Sequence, residues 1–213
     1  RNNRSLVRVL DGSAVGRHRA SHGQRDEKVA ADALRDRAVQ RRRGQPHHRL
    51  ARNRAQGNLV PRYTGKTLTK VVDGIGISNG LAWSADGKTM FFIDTVTLSI
   101  DSFDYKDGEL ANRKRRWTAP DSSYGSPDGM CIDSEDGLWV AFWGGARVRR
   151  FNTQFEVTDE IELPQPLVTS CAFAGKDLNQ LIITTARFDQ SSNNEDLGKT
   201  YIAQVSIPGM RTQ

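Results

Sequence analysis

From Asn58 onward the chain is written in short apolar runs, many of them alternating with polar residues and bounded by turn formers. LTKVV (68–72), GLAWS (80–84), TMFFID (89–94), SIDSFDY (99–105), GMCID (129–133), GLWVAFW (137–143), RVRRFN (147–152), EIEL (160–163), SCAFA (170–174), QLIITTA (180–186) and YIAQVSI (201–207) fit strands of period two. Ala85-Asp86-Gly87-Lys88, Lys106-Asp107-Gly108 and Glu135-Asp136-Gly137 fall between paired runs and predict hairpin turns. No long amphipathic helical pattern interrupts them, so the fold class is all-β. Trp83, Phe92, Trp139 and Phe173 are expected to be buried where adjacent sheets pack.

The runs repeat. NGLAWSADGKTMFFIDTVTLSIDSFDY, DGMCIDSEDGLWVAFWGGARVRRFN and TSCAFAGKDLNQLIITTARFDQ align from Asn79, Asp128 and Thr169, at spacings of 49 and 41 residues. Periods of this length with about four strands each predict propeller blades, radially arranged sheets around a channel. Residues 57–213 are therefore expected to hold about three to four blades of a partial β-propeller. The innermost strand of each blade would line the channel, which would bring Asn79, Asp128 and Thr169 to one mouth. An amide carbonyl and a carboxylate converging there suit a hard divalent cation, and Gly80 and Gly129 would allow a tight backbone path. Asn-Gly and Asp-Gly also suit plain turns, and the pattern alone leaves both readings open.

Charge divides the chain in two. Residues 1–56 hold 14 Arg and one Lys against five acids, a net of +10, whereas residues 57–213 hold 16 bases against 20 acids, a net of −4, so the positive charge of the whole chain, +6, comes from the first block. That block contains all four His and none of the 16 aromatic residues. Cationic side chains favour phosphates, but the block offers no aromatic to stack on a base, no helix-turn-helix spacing and no zinc-ligand pairs, which argues against nucleic acid as a partner. His47 and His48 lack partners for a metal and read as exposed polar residues. Cys131 and Cys171 lie inside apolar runs and read as buried free thiols. No apolar stretch approaches the roughly 20 residues of a membrane span, so the expectation is a cytoplasmic protein without a membrane partner. The chain does not begin with Met.

GISNGLAWSADGKTMFFIDT, GSPDGMCIDSEDGLWVAFWGGARVRRFN and LPQPLVTSCAFAGKDLNQLIITTAR resemble the regucalcin, SMP-30 and gluconolactonase family, in the family's order, over about residues 57–188. The resemblance implies a six-bladed β-propeller, here incomplete, with one divalent cation (Ca, Zn, Mn or Mg) in the channel and hydrolysis of a small-molecule sugar lactone. It implies that Asn79 of SNGL is a metal ligand and that Asp128 of PDGM is both a metal ligand and the catalytic base. Arg187 of TTAR also falls in a family segment, where a structural role at a strand end competes with a functional one. Asp133, five residues beyond Asp128, is expected to be dispensable for activity.

The departures are as informative. The family's third ligand is a Glu in an EGP motif of the first blade, and this sequence has no such motif, which implies impaired catalysis. A substrate-contacting stretch of the family is only echoed in RVLDGSAVGRHRASHGQ, through Arg8, Asp11, Gly12, Gly16 and Arg17, with Leu10 where the Asn belongs. An aromatic-free run of Arg, Ala, Gly, His and Gln is the composition of a GC-rich coding sequence read out of frame, so residues 1–56 are expected to be poorly ordered or mistranslated. A natural basic extension is the alternative. Open blade edges in a partial propeller would favour self-association. Two further readings stand beside the lactonase: a calcium-binding regulatory protein without turnover, and an Arg-rich interaction module joined to a β-domain.

Overall fold

The computed structural model describes residues 7–10, 49–50, 59–63, 68–187 and 197–211, with side chains from 70 to 187 and from 197 to 211. Among the described residues there are fifteen strands, and the only helical pieces are single 3-10 turns at Thr95–Thr97 and Ser122–Tyr124. Three sheets have four antiparallel strands. The first is β5 (Ser78–Trp83), β6 (Thr89–Asp94), β7 (Ser99–Lys106) and β8 (Glu109–Thr118); the second is β9 (Ser126–Ile132), β10 (Leu138–Trp143), β11 (Arg147–Phe151) and β12 (Val157–Glu162). The third runs β13 (Val168–Ala174), β14 (Gln180–Thr185), β15 (Thr200–Gln204) and then β1 (Val7–Leu10), which returns from the far end of the chain to pair with β15. A three-stranded sheet joins β2 (Arg49–Leu50), β3 (Leu59–Tyr63) and β4 (Leu68–Asp73). The architecture is an incomplete propeller, and the expected count of about three to four blades holds.

Period-two alternation explains how consecutive sheets stack. Successive side chains of a strand point to opposite faces, so a strand between two neighbours must be apolar on both. On β10, Trp139 and Ala141 enter a core shared with the β13 sheet, while Leu138, Val140 and Phe142 enter a core shared with the β5 sheet. On β6, Ile93 and Phe91 face that second core, and Met90 and Phe92 face a third that includes Val72 of β4. The continuous apolar text of GLWVAFW and TMFFID thus reflects burial on both faces.

Phe92 and Trp139 are buried as expected, but Trp83 and Phe173 are only half-buried. Trp83 lies edge-on to Tyr105 at 5.9 Å near a sheet margin, and Phe173 covers Trp139 and Gly209 from the side. β8 has no counterpart among the expected strands. Its residues 111–116 are exposed, and Arg113 and Arg115 reach Asp101 of β7 at 2.6 and 3.1 Å instead of burying apolar surface. The expectation for residues 1–56 lies outside the described residues except at β1 and β2.

Candidate functional site

The three inner strands share one irregularity. In the β5–β6 pair Ser78 faces Asp94 and Leu81 faces Phe92, so Asn79 and Gly80 together oppose Ile93 alone. In the β9–β10 pair Pro127 faces Phe142 and Met130 faces Val140, so Asp128 and Gly129 oppose Ala141. In the β13–β14 pair Val168 faces Thr185 and Ser170 faces Thr184, leaving Thr169 as the extra residue. Each candidate position is therefore a β-bulge, a device that turns a side chain away from the regular pleat. The recurrent Asn-Gly and Asp-Gly belong to these bulges at the start of inner strands, not to hairpin turns.

Two of the bulges touch. A Cβ added at Gly80 would lie 2.8 Å from the Asp128 backbone carbonyl and 2.8 Å from Ile93 Cδ1, so only glycine lets β5 approach β9 this closely. Asn79 Nδ2 donates to Thr95 Oγ1 at 3.1 Å, and the Thr95 hydroxyl donates to the Pro127 carbonyl at 2.8 Å. This chain of donors links Asn79 on one blade to the residue preceding Asp128 on the next. It also orients the amide, because the Nδ2 end is held by Thr95 and the Oδ1 end is turned the other way.

Thr95 sits in a turn fixed by Asp94, whose buried carboxylate accepts from the backbone amides of Ile77 at 2.9 Å, Gly76 at 3.1 Å and Val96 at 3.2 Å. One carboxylate thereby holds both the loop entering β5 and the turn leaving β6. Asp94 and Thr95 were not singled out from the sequence. Thr95 has no counterpart in the next repeat, where the cross-strand register puts Trp143 at the corresponding position, so the repeat carried no signal for it.

The third bulge behaves differently. Thr169 Oγ1 donates within its own sheet to the Thr184 carbonyl at 2.9 Å and lies 2.8 Å from the Thr184 hydroxyl, so convergence of Thr169 with Asn79 and Asp128 does not follow from its place in the repeat. Ser170 replaces the glycine of the other two bulges, and its Oγ is buried without a hydrogen-bond partner. Arg187 is exposed just beyond β14, with Gly198 close against its Cβ.

Asp133 is not a neutral bystander. Its side chain is fully buried; Oδ1 accepts from the amides of Gly137 at 2.8 Å and Glu135 at 2.9 Å, and Oδ2 from Trp139 Nε1 at 3.0 Å and Arg150 Nε at 2.6 Å. Burial works against the Arg150 charge, but the hydrogen bond and charge of Asp133, with the charges of Glu135 and Asp159, more than offset it, so the Arg150 pKa lies above the ordinary guanidinium value. Replacing Asp133 would act through the fold, where one carboxylate holds two turn amides, an indole and a guanidinium.

As donors, Asn79 Oδ1 and the Asp128 carboxylate fit a hard divalent cation, since both are oxygens and one carries charge. No cluster of three or more His, Cys, Asp or Glu suited to a metal occurs among the described residues, so these two would be a partial ligand set.

With this geometry in place, the comparisons with known proteins decide the family. The description SMP-30/Gluconolactonase/LRE-like region matches residues 9–187. The chain belongs to that family. Regucalcin of Sus scrofa is 39% identical over 137 residues, which are 63% of this chain and 46% of that protein. The chain spans about half the length of the curated relatives it matches. Among solved structures, a luciferin-regenerating enzyme superposes with a TM-score of 0.63 at 33% identity, over 72% of this chain and 54% of that one. A gluconolactonase from Xanthomonas campestris superposes with a TM-score of 0.57 at 25% identity, over 74% and 47%. No helix among the described residues is long and apolar enough to cross a membrane.

Proposed function

We propose that this chain derives from a divalent-metal-dependent sugar lactone hydrolase, with Asn79 and Asp128 as its contribution to the metal site and Asp128 as the general base. The observation that carries the reading is the pair of corresponding bulges on β5 and β9, in backbone contact through Gly80 and joined by the Asn79–Thr95–Pro127 hydrogen bonds, in a family that includes gluconolactonases. Asn79 would offer Oδ1, its amide held in that orientation by Thr95. Asp128 would accept the proton of the attacking water as the water's oxygen adds to the lactone carbonyl, and would return it to the ring oxygen as the C–O bond opens. A bound cation would supply Lewis acidity toward the carbonyl and acidify its water. The ligand set lacks the Glu of the family's EGP motif, so metal binding by the 213-residue chain is weak and turnover low.

The test titrates Ca, Zn, Mn and Mg into the chain by calorimetry and assays aldonolactone hydrolysis in parallel. Asp128→Ala should remove both metal binding and any turnover. Asn79→Ala should weaken binding and be partly rescued by excess metal, and the exposed Asp177→Ala should change neither. Metal binding that survives unchanged in Asp128→Ala would sink the assignment; binding without hydrolysis in the parent chain would favour a metal-binding regulator. Self-association through the end sheets belongs to the same reading.

A further inference from the structure

Two thiols face each other across the seam between the second and third sheets. Cys131 of β9 and Cys171 of β13 have sulfurs 3.6 Å apart, and neither is in a disulfide. The alternation along β9 sends Met130 into the seam with the β5 sheet and Cys131 into the seam with β13. Cys171 is 2% exposed, and its thiol donates to the Trp139 carbonyl at 3.2 Å. Cys131 is half-buried, the more accessible of the two.

A disulfide needs its sulfurs at about 2.05 Å, so the pair must close by about 1.5 Å. The strands here meet through side-chain packing, with no ladder of backbone hydrogen bonds between β9 and β13 to resist such an adjustment. We infer that Cys131 and Cys171 form a peroxide-reactive dithiol that closes to a disulfide between neighbouring blades.

The electrons balance as follows. The Cys131 thiolate attacks one oxygen of a hydroperoxide, the O–O bond breaks, and the leaving oxygen takes a proton as water or alcohol, which leaves a sulfenic acid on Cys131. Cys171, in van der Waals contact, gives up its thiol proton and attacks the sulfenic sulfur. The S–O bond breaks, and the hydroxide departs with that proton as water. The two thiols are oxidised by two electrons and the peroxide is reduced by two. The resolving thiol is already adjacent, so closure outruns further oxidation of the sulfenic acid. The bond would anchor β9 to β13 three residues from Asp128, and its formation does not depend on the lactonase reading.

The test oxidises the folded 213-residue chain with hydrogen peroxide, blocks remaining thiols with N-ethylmaleimide in denaturant, and reads intact mass and a non-reducing tryptic map. The reduced chain should take two maleimides. The oxidised monomer should take none, weigh two hydrogens less, and show peptides 117–147 and 151–176 joined until dithiothreitol separates them. Closure should be at least about tenfold slower in urea, where the fold no longer holds the thiols together. Cys171→Ala should let dimedone trap the sulfenic acid on Cys131; if that variant does not fold, the map of the parent chain decides. Two maleimides after oxidation, disulfides only between chains, sulfinic or sulfonic products in the monomer, or equal closure rates in urea would each overturn the inference.

Discussion

Asp133→Ala should be among the most damaging single substitutions in this chain, although the residue is remote in role from the lactone chemistry. Removing the carboxylate leaves the Arg150 guanidinium, 5% exposed, with hydrogen bonds to Glu135 Oε2 at 3.1 Å and Thr158 Oγ1 at 2.9 Å and the more distant charge of Asp159. It also frees the amides of Glu135 and Gly137 and the Trp139 indole. Breaking a buried pair from one side costs about 3–5 kcal/mol, a large share of the roughly 5–15 kcal/mol that holds a domain folded. With a urea dependence of roughly 2 kcal/mol per molar, the unfolding midpoint should fall by about 2 M. The assay is a urea titration followed by tryptophan fluorescence, in which Trp139 reports directly on the lost contact. Asp133→Asn, which keeps an acceptor for the turn amides, should fall between the two. Asp133→Ala with Arg150→Met should recover part of the loss, because the uncompensated charge is gone. A single variant within about 1 kcal/mol of the parent, or a double variant worse than the sum of its parts, would refute the reasoning.

Gly80→Ala places a methyl against the Asp128 carbonyl and Ile93, an overpacking that should cost about 1–3 kcal/mol in a thermal melt and weaken metal binding with it. The Asp121 carboxylate caps the Ser122–Tyr124 turn, and hydrogen bonds from the Ser123 hydroxyl and amide hold its pKa below the ordinary aspartate value. A depressed folded-state pKa means the cap is intact above the usual aspartate range and is lost as pH falls through the lowered value. Carboxyl NMR of Asp121 should show that late titration, and its absence would remove the cap's role.

Much of the fold was legible because β6 and β10 are apolar on both faces and are bounded by Asp-Gly turns, which is what stacking between two sheets demands. β8 was not legible: a strand stabilised by ion pairs to Asp101 carries no apolar period. β1 was invisible for another reason, since its pairing with β15 depends on residues at the other end of the chain and leaves no local signature. At the site, the spacing of Asn79 and Asp128 revealed that the positions correspond. The bulge at each, and the linking role of Thr95, depend on cross-strand register, which a one-dimensional repeat does not encode. Thr169 shows the limit of that reasoning, because a hydroxyl at the same position found partners within its own sheet.

The pairing of Val7–Leu10 with β15 bears on how the chain acquires its structure during synthesis. Its partners lie about 190 residues apart, whereas the β5–β8 and β9–β12 sheets are built from neighbouring hairpins. At ribosomal speeds of about 5–20 residues per second, β1 would wait roughly 10–40 s for β15 to emerge, while the two hairpin-built sheets could already fold. Until β1 docks, β15 presents a bare edge whose unpaired amides and carbonyls can recruit a strand from another nascent chain. The vulnerable interval in the life of this protein therefore opens when β15 emerges and closes when β1 docks, and slowing the capture of β1 would raise aggregation without weakening any contact of the finished structure.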